Sequence, residues 1–195
     1  MINDNTTVTA FAGHQRIAAG RLRDAIAAVK ARMEGGLEQS VLIFSDISGE
    51  QLDFDFRGSL QQTLDRLHQH PAWEPEAPRR KPGPGRPKLG VVAREVTLLP
   101  SQWEWLRRQP GGASPALRRL VELARRSPVE RAAKAWYALG KVTWSVAGDL
   151  AGFEEVSRAI YAQDAQQVRR LVQDWPDDLK AYVDERVSHC QEILD

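Results

Sequence analysis

The sequence predicts an α+β protein, and three observations along the chain support this fold class. Short apolar segments with strand-like patterns come first, a proline-rich basic stretch follows, and helical spacing of apolar residues dominates the last third. Hydrophobic residues make up 42% of the 195 residues, which is enough for a buried core. We therefore expect a small α+β domain over 1–70, a linker over 71–90, a strand–helix–helix unit over 91–127 and a helical domain over 128–195.

The predicted N-terminal domain contains a sheet with two helices. The segment TVTAF (7–11) is rich in β-forming residues, and HQRIAAG follows it as a hairpin partner. The helix RLRDAIAAVKARM ends at two glycines, SVLIFSD predicts a buried strand, and QLDFDF alternates as its partner strand should. Ser59 is positioned to cap a short helix.

The segment 128–195 predicts helices only. Apolar residues recur at helical spacing through PVERAAKAWYALGKVTWSVA, and a turn between two glycines follows at 148–152. Two short helices come next, FEEVSRAIYAQ and AQQVRRLVQDW, and Pro176 opens a last one.

The linker contains six prolines and the basic sequence RRKPGPGRPKLG. Its Gly-Arg-Pro core resembles the AT-hook, an extended peptide that lies in the minor groove of A·T-rich DNA, where the narrow groove attracts arginine. The resemblance implies Arg86 in the groove, with phosphate contacts from Arg79, Arg80, Lys81 and Lys88. An AT-hook has arginine on both sides of the glycine, whereas Pro84 precedes Gly85 here, so half of the core is present. The alternative is a solvated basic linker, which would still add salt-dependent affinity.

The unit after the linker reads as a strand and two helices. VVAREVTLL (91–99) is β-branched, Pro100 ends it, and Ser101 can cap QWEWLRRQ. The break at 110–112 is followed by a second helix, for which Ser114 is the expected cap. That helix has one apolar face and one basic face, the latter formed by Arg118, Arg119, Arg125 and Arg126. Trp103 and Trp105 point to different faces of the first helix.

This unit, from 94 to 126, resembles the ribbon-helix-helix fold of small bacterial DNA-binding proteins. In that family two chains pair their strands into a ribbon that enters the major groove, and the second helix binds phosphate at its N-terminus. The resemblance implies a homodimer through the central strand and phosphate contacts from Ser114 and nearby amides. Two strand registers remain open: one buries Val96 and Leu98 and turns Glu95 and Thr97 outward, and the other exposes Arg94 together with Val96 and Leu98. The alternative is a strand and helical hairpin packed within one domain.

Charge is segregated along the chain. Residues 79–134 carry 14 lysines and arginines against 4 aspartates and glutamates, a net charge of +10, while 1–78 carries −4 and 135–195 carries −5. Blocks of one sign usually mark a surface for a partner of opposite charge. The alternative is that the acidic flanks dock on the basic centre.

Other functional classes find little support. The four histidines are scattered, Asp53 and Asp55 fit a solvated strand face, and GPGRPKLG lacks the Gly-Lys-Ser/Thr ending of a Walker loop. The single cysteine, Cys190, fits a small apolar core residue in a reducing cytoplasm. No apolar run approaches the roughly 18 residues of a membrane span, and the N-terminus does not resemble a signal peptide. We expect that the protein is not an enzyme, that it uses no cofactor and binds no metal, and that it does not associate with a membrane.

Three segments spread over the chain, TAFAGHQRIAAG, GRPKLGVVAREVTLLP and AGDLAGFEEVSRAIYAQD, resemble the uncharacterised bacterial family called domain of unknown function 2239. That resemblance implies a bacterial cytoplasmic protein and supplies no activity. We predict a dimeric protein that binds double-stranded DNA, as a transcriptional regulator or a factor of the nucleoid. The alternative is an adaptor whose basic centre binds an acidic protein. The candidate DNA-binding residues are Arg79, Arg80, Lys81, Arg86, Lys88, Arg94, Thr97, Ser114, Arg118 and Arg119.

Overall fold

The computed structural model describes residues 1–74 and 90–195. The chain divides into two compact units. The first, here called the sheet–helix unit, joins Met1–Pro75 to Pro128–Asp195, and the second, the basic unit, is Glu76–Ser127. The AT-hook-like sequence, with Arg79, Arg80, Lys81, Arg86 and Lys88, lies outside the described residues.

The α+β class is confirmed by a three-stranded antiparallel sheet surrounded by helices. Strands β1 (Thr7–Ala12), β2 (Gln15–Arg21) and β3 (Val41–Ser45) are arranged in the order β2-β1-β3. The predicted hairpin and the predicted buried strand are thus present, and Val8 of the central strand pairs with Gly20 on one side and Ser45 on the other.

The predicted strand QLDFDF does not form. It makes one isolated bridge, Gln51 to Phe44, and one further hydrogen bond from the Leu52 amide to the Ile43 carbonyl at 2.7 Å. The carbonyl of Phe56 then accepts a hydrogen bond from Lys30 Nζ at 2.8 Å, and that of Asp55 accepts one from Arg66 Nη2 at 2.9 Å. Side chains therefore satisfy carbonyls that a neighbouring strand would otherwise satisfy. The alternation in the sequence shows that one side of the segment faces the core. An irregular extended segment can have this pattern as well as a strand.

The helices follow the predictions closely. The sheet–helix unit contains α1 (Leu22–Glu34), α2 (Leu60–Arg66) with a 3₁₀ turn at Leu67–Gln69, α5 (Pro128–Ala147), α6 (Phe153–Tyr161), α7 (Ala165–Leu171) and α8 (Asp177–Glu192). The basic unit contains α3 (Pro100–Arg107) and α4 (Ala113–Arg126). Among the residues described, no helix has both the length and the hydropathy needed to cross a bilayer.

Both faces of the sheet are buried. Val8, Ala10 and Ile43 pack on one face with residues of α1, whereas Phe11 and Phe44 project from the other face into a core built from α5 to α8. The ring of Phe11 lies 5.3 Å from that of Tyr182 on α8, edge to face. Successive strand residues point to opposite faces, so each strand contributes to both cores.

The two ends of the chain are therefore packed together, although the sequence predicts separate domains for 1–70 and 128–195. The Arg16 guanidinium pairs with Glu185 at 3.0 Å, and the Arg16 amide donates to Asp178 Oδ2 at 2.9 Å. Arg186 Nη2 donates to the Asp46 carbonyl at 2.7 Å. The physical reason is that α1 can cover only one face of an apolar sheet, so the other face requires helices from elsewhere in the chain.

Candidate nucleic-acid interface

The described part of the basic unit, residues 90–127, is a helical hairpin preceded by an irregular segment. Helices α3 and α4 are joined by a turn in which Gly111 and Gly112 both have a φ of +81°, a conformation that suits glycine because it has no Cβ. Leu106 of α3 and Ala116 of α4 are buried between the helices. This small core holds the two helices as one element.

The segment 91–99 forms no strand. It has no pairing partner among the described residues, and a single strand cannot complete its backbone hydrogen bonds. Its apolar side chains are largely exposed: 75% for Val92, 51% for Val96 and 64% for Leu99. The segment enters α3 through a hydrogen bond of 2.9 Å from the Leu99 amide to Gln102 Oε1, and Pro100 occupies the first helical position. Ser101 thus lies inside the helix and is not its cap.

An apolar groove runs beside the two helices. It has a volume of about 380 Å³, and its lining residues are Leu98, Ser101, Gln102, Trp105, Leu106, Leu117 and Leu120. Leu98 is half-buried there, whereas its neighbours in the chain are exposed. Trp105 is largely exposed and Trp103 is half-buried, as the two-residue spacing predicts for different helix faces.

The basic face of α4 divides into paired and exposed arginines. Arg126 binds Glu122 at 2.7 Å, and Arg125 lies 3.8 Å from the same carboxylate. Arg118 and Arg119 are exposed and form no ion pair with another residue of the described ranges. These two arginines are therefore the ones that present cationic charge at the N-terminal half of the helix.

The start of α4 differs from the prediction. The helix begins at Ala113, after Gly112 in the N-cap position, so Ser114 and Pro115 are its second and third residues. Ser114 is exposed, and its side chain is not the cap. The amides of Ala113 and Ser114 belong to the first turn, where amides lack acceptors within the helix, and Pro115 has no amide hydrogen.

The described candidate residues lie on two elements. Ser114, Arg118 and Arg119 are exposed on the first half of α4, while Arg94 and Thr97 are exposed on the segment 91–99. The groove cannot be predicted from the sequence, because its lining joins a residue of the segment 91–99 to residues of both helices. The one available signal was the apolar Leu98 beside a tryptophan-containing helix.

Two of the four histidines, His68 and His70, make local contacts within the sheet–helix unit. His70 Nδ1 accepts a hydrogen bond from the Ala72 amide at 3.0 Å, and the ring of His68 packs edge-on against Trp73. Within residues 1–74 and 90–195, no three His, Cys, Asp or Glu side chains are grouped as a metal site would need.

A known protein family matches residues of both units. The family described as an uncharacterized protein conserved in bacteria, DUF2239, matches residues 7–186. The chain belongs to this family. The match includes the sheet–helix unit from its first strand into its last helix, and the whole basic unit, so both are parts of the DUF2239 chain. No curated protein and no solved structure matches the sequence.

Proposed function

We propose that the protein binds duplex DNA as a homodimer, in which the 91–99 segments of two chains pair as a ribbon beside their α3–α4 hairpins. Such a protein would serve as a bacterial transcriptional regulator or a nucleoid factor. The observation that carries the proposal is the segment itself: apolar, exposed, unpaired within the described chain, and leading directly into a compact helical hairpin.

Exposed apolar side chains and unpaired backbone groups of the segment 91–99 support the dimer. Exposed Val92, Val96 and Leu99 leave apolar surface in water. The backbone amides and carbonyls of residues 91–98 form no hydrogen bond with the described residues of the chain. Antiparallel pairing with a second copy satisfies these backbone groups and covers part of the apolar surface. A two-fold arrangement is the commonest way for a chain to pair with itself.

The groove supports one of the two strand registers. Leu98 lies against the helices, so in a strand Val96 and Arg94 would share its side. Thr97 and Glu95 would then face away from the helices, toward the DNA. This assigns base or backbone contact to Thr97 rather than to Arg94.

Phosphate contact is supported by charge and by helix geometry. Residues 90–127 carry 7 lysines and arginines against 3 aspartates and glutamates. The first turn of α4 presents amides at the positive end of the helix dipole, and Arg118 and Arg119 follow within two turns. These groups suit an anion at the start of α4.

The first test is the oligomeric state. Val96→Asp places a charge in the proposed ribbon, and we expect the protein to change from a dimer to a monomer at micromolar concentration in analytical ultracentrifugation. Val129→Asp changes a similarly exposed valine at the start of α5 and serves as the control. A wild-type protein that is a monomer at these concentrations would contradict the ribbon.

The second test is the salt dependence of binding to a 30-base-pair duplex. Arg118→Ala with Arg119→Ala should reduce the slope of log K against log salt by about 3 to 4 per dimer, since each phosphate that an arginine neutralises adds about 0.9 to the slope. Arg125→Ala with Arg126→Ala is the matched control, because Glu122 already neutralises part of that pair. If both double variants reduce the salt slope equally, the arginines attract DNA only by their net charge, and no phosphate contact is specific to Arg118 and Arg119. No DNA binding, with an acidic protein co-purifying, would favour the adaptor function.

The third test concerns the proposed DNA-facing side of the segment. Glu95→Gln removes a carboxylate that would face phosphates, so DNA affinity should rise several-fold, whereas Glu104→Gln on α3 should change it less. An unchanged affinity in Glu95→Gln would favour the other register.

The linker has a test of its own. We expect Arg86→Ala to weaken binding to A·T-rich sites more than binding to mixed sites, because the narrow minor groove of A·T-rich DNA attracts arginine most strongly. Competition between the two kinds of duplex measures the difference. A uniform weakening would leave the linker as a non-specific basic tether.

A further inference from the structure

The sheet–helix unit has a hollow of about 540 Å³ that is lined by three exposed aromatic side chains and is here called the aromatic groove. Trp144 and Tyr161 are each 69% exposed, and Tyr137 is 56% exposed. The ring of Trp144 packs edge-on against Phe153, with 5.6 Å between the ring centres, which restricts its orientation. Sites for small molecules typically have volumes of about 300–1,000 Å³ and combine aromatic walls with a few polar groups.

The groove is also lined by a glycine that helix packing does not explain. Gly140 lies inside α5, between Tyr137 and Trp144, where glycine lowers helix stability relative to alanine. A Cβ at this position would come no closer than 3.6 Å to an atom outside its own stretch of the helix, the Cγ2 of Ile160, which is an ordinary van der Waals contact. Alanine would therefore fit the fold. Glycine leaves the helix backbone open to the groove, where a flat ligand can approach it closely.

The exposed aromatic surface is small. An aromatic side chain presents about 150–250 Å² at most, so the three rings together expose about 400 Å². A stable protein interface buries about 800 Å² on each partner. The aromatic surface of the groove supplies about half of that area, which favours a small molecule over a second protein.

The charged side chains of the groove are already paired. Lys141 Nζ lies 3.9 Å from Glu50 Oε1 and 4.9 Å from the centre of the Tyr137 ring. The lining thus combines one ammonium with one carboxylate and has no net charge. The described residues of the sheet–helix unit carry 15 lysines and arginines against 22 aspartates and glutamates, a net charge of −7, which repels a polyanion. An uncharged ligand therefore suits the groove.

Two polar side chains of the lining are suited to a ring that has both donors and acceptors. His70 Nδ1 accepts a hydrogen bond from the Ala72 amide at 3.0 Å, so the proton of the neutral imidazole lies on Nε2, which is then a donor. Gln51 donates from its Nε2 to Asp53 Oδ1 at 3.0 Å, which leaves Oε1 as an acceptor. Nucleobases combine donors and acceptors at their edges with flat faces that stack on aromatic side chains.

We propose that the aromatic groove binds the uncharged heteroaromatic ring of a nucleoside. The ring stacks on Trp144 and Tyr161 and lies over the backbone of Gly140. Its edge forms hydrogen bonds with His70 and Gln51. This site lies within the sheet–helix unit and does not depend on the DNA-binding function proposed for the basic unit.

The probes are adenosine, inosine, cytidine and uridine, each added to the full chain labelled with ¹⁵N. The readout is the indole N–H signal of Trp144 in the NMR spectrum, identified by its loss in Trp144→Phe. Two stacking contacts predict a Kd of about 1 mM or lower for at least one nucleoside. If none of the four shifts this signal at about tenfold higher concentration, the proposal is overturned.

Gly140→Ala separates the needs of the fold from those of the ligand. We expect the melting temperature to rise by about 1–4 °C, because alanine favours the helix. The added methyl group occupies the place of the ring, so the Kd should rise at least about tenfold. A Gly140→Ala protein that binds the nucleoside as tightly as the wild type would overturn the proposal.

Tryptophan variants locate the site and test it independently of the glycine. Trp144→Ala should raise the Kd at least about fivefold, because it removes one stacking contact. Trp105→Ala changes an exposed tryptophan of the basic unit and should leave the Kd unchanged. Far-UV circular dichroism checks that each variant is folded, and binding to Trp144→Ala is followed by saturation-transfer NMR of the nucleoside. If both variants weaken binding equally, the site lies elsewhere and the proposal is wrong.

Charged ligands distinguish a free nucleoside from a base carried by nucleic acid. AMP should bind more weakly than adenosine, because the unit has a negative net charge. If AMP binds more tightly, or if single-stranded oligo-dA shifts the Trp144 signal and the nucleosides do not, the ligand is not uncharged and the proposal is wrong. If Trp144→Ala dissociates a dimer of the full chain and no nucleoside binds, a second copy covers the groove, which would also overturn the proposal.

Discussion

At the scale of single residues, close contacts join segments that are far apart in the sequence. Gly49 lies in the turn after β3 with a φ of +65°, and a Cβ at this position would overlap the carbonyl oxygen of Ala138 on α5. The absence of a side chain therefore allows the turn to approach the helix. A glycine in a turn is predictable from sequence, but its contact with a distant helix is not.

We expect Gly49→Ala to lower the free energy of unfolding by roughly 2–4 kcal/mol, because it combines backbone strain with overlap against α5. Gly36→Ala is the matched control: its φ is +93° and its surroundings are open, so only the strain of about 1 kcal/mol should remain. Urea unfolding of both variants measures the difference. Equal destabilisation of the two variants would contradict a close approach of Gly49 to Ala138.

The cysteine provides a second test at this scale. Cys190 is fully buried on α8, and burial raises the pKa of its thiol to about 11. At pH 8 the thiolate fraction is then about a hundredfold lower than for a thiol with the ordinary pKa, and the thiolate is the reactive form. We expect Ellman's reagent to label the native protein at least a hundredfold more slowly than the protein in guanidinium. Complete labelling of the native protein within seconds would contradict this burial.

At the scale of elements, local signals predicted the helices well and the strands unevenly. Helix α2 shows why: Ser59 accepts a hydrogen bond from the Gln62 amide, and the Gln62 side chain accepts one from the Ser59 amide, a capping box formed by residues three positions apart. The segments 51–56 and 91–99 have strand-like sequences but form no strand, because a strand also requires a neighbour. For 51–56, side chains take the neighbour's place at two carbonyls.

We expect Ser59→Ala to destabilise the sheet–helix unit by about 1 kcal/mol, because the capping box can no longer form. Ser145→Ala is the control, because that hydroxyl is exposed and bonds to the Lys141 carbonyl within α5; its effect should be within about 0.5 kcal/mol. Thermal unfolding followed by circular dichroism compares the two. If both variants melt at the same temperature, the cap contributes little.

At the scale of the whole molecule, the chain leaves the sheet–helix unit after β3 and α2 and returns to complete it. Phe11 and Phe44 of the sheet lie in the same core as α5 to α8, so residues 1–75 alone would expose one apolar face of the sheet. The basic unit is thus inserted in the sequence between two halves of another unit.

We expect separate fragments 1–75 and 128–195 to be insoluble or partly folded alone, and to form a stable complex when co-expressed, because each half supplies one side of a shared core. Co-purification through a tag on one fragment and a single cooperative melting transition would measure this. A fragment 1–75 that unfolds cooperatively by itself would show that the sheet does not need the C-terminal helices.

The sequence by itself determined the α+β class, the helices and their ends to within a few residues, the hairpin, and the concentration of basic residues in the centre. These depend on signals within a few positions: periodicity, caps, glycine, proline and charge. Only the tertiary structure decided which face of β1 meets α8, that the two chain ends share a core, that 51–56 is irregular, and that Leu98 joins a groove while Tyr137, Trp144 and Tyr161 line another. These depend on burial between residues far apart in the chain, and an aromatic residue on a helix has the same local sequence signal whether it is buried or exposed.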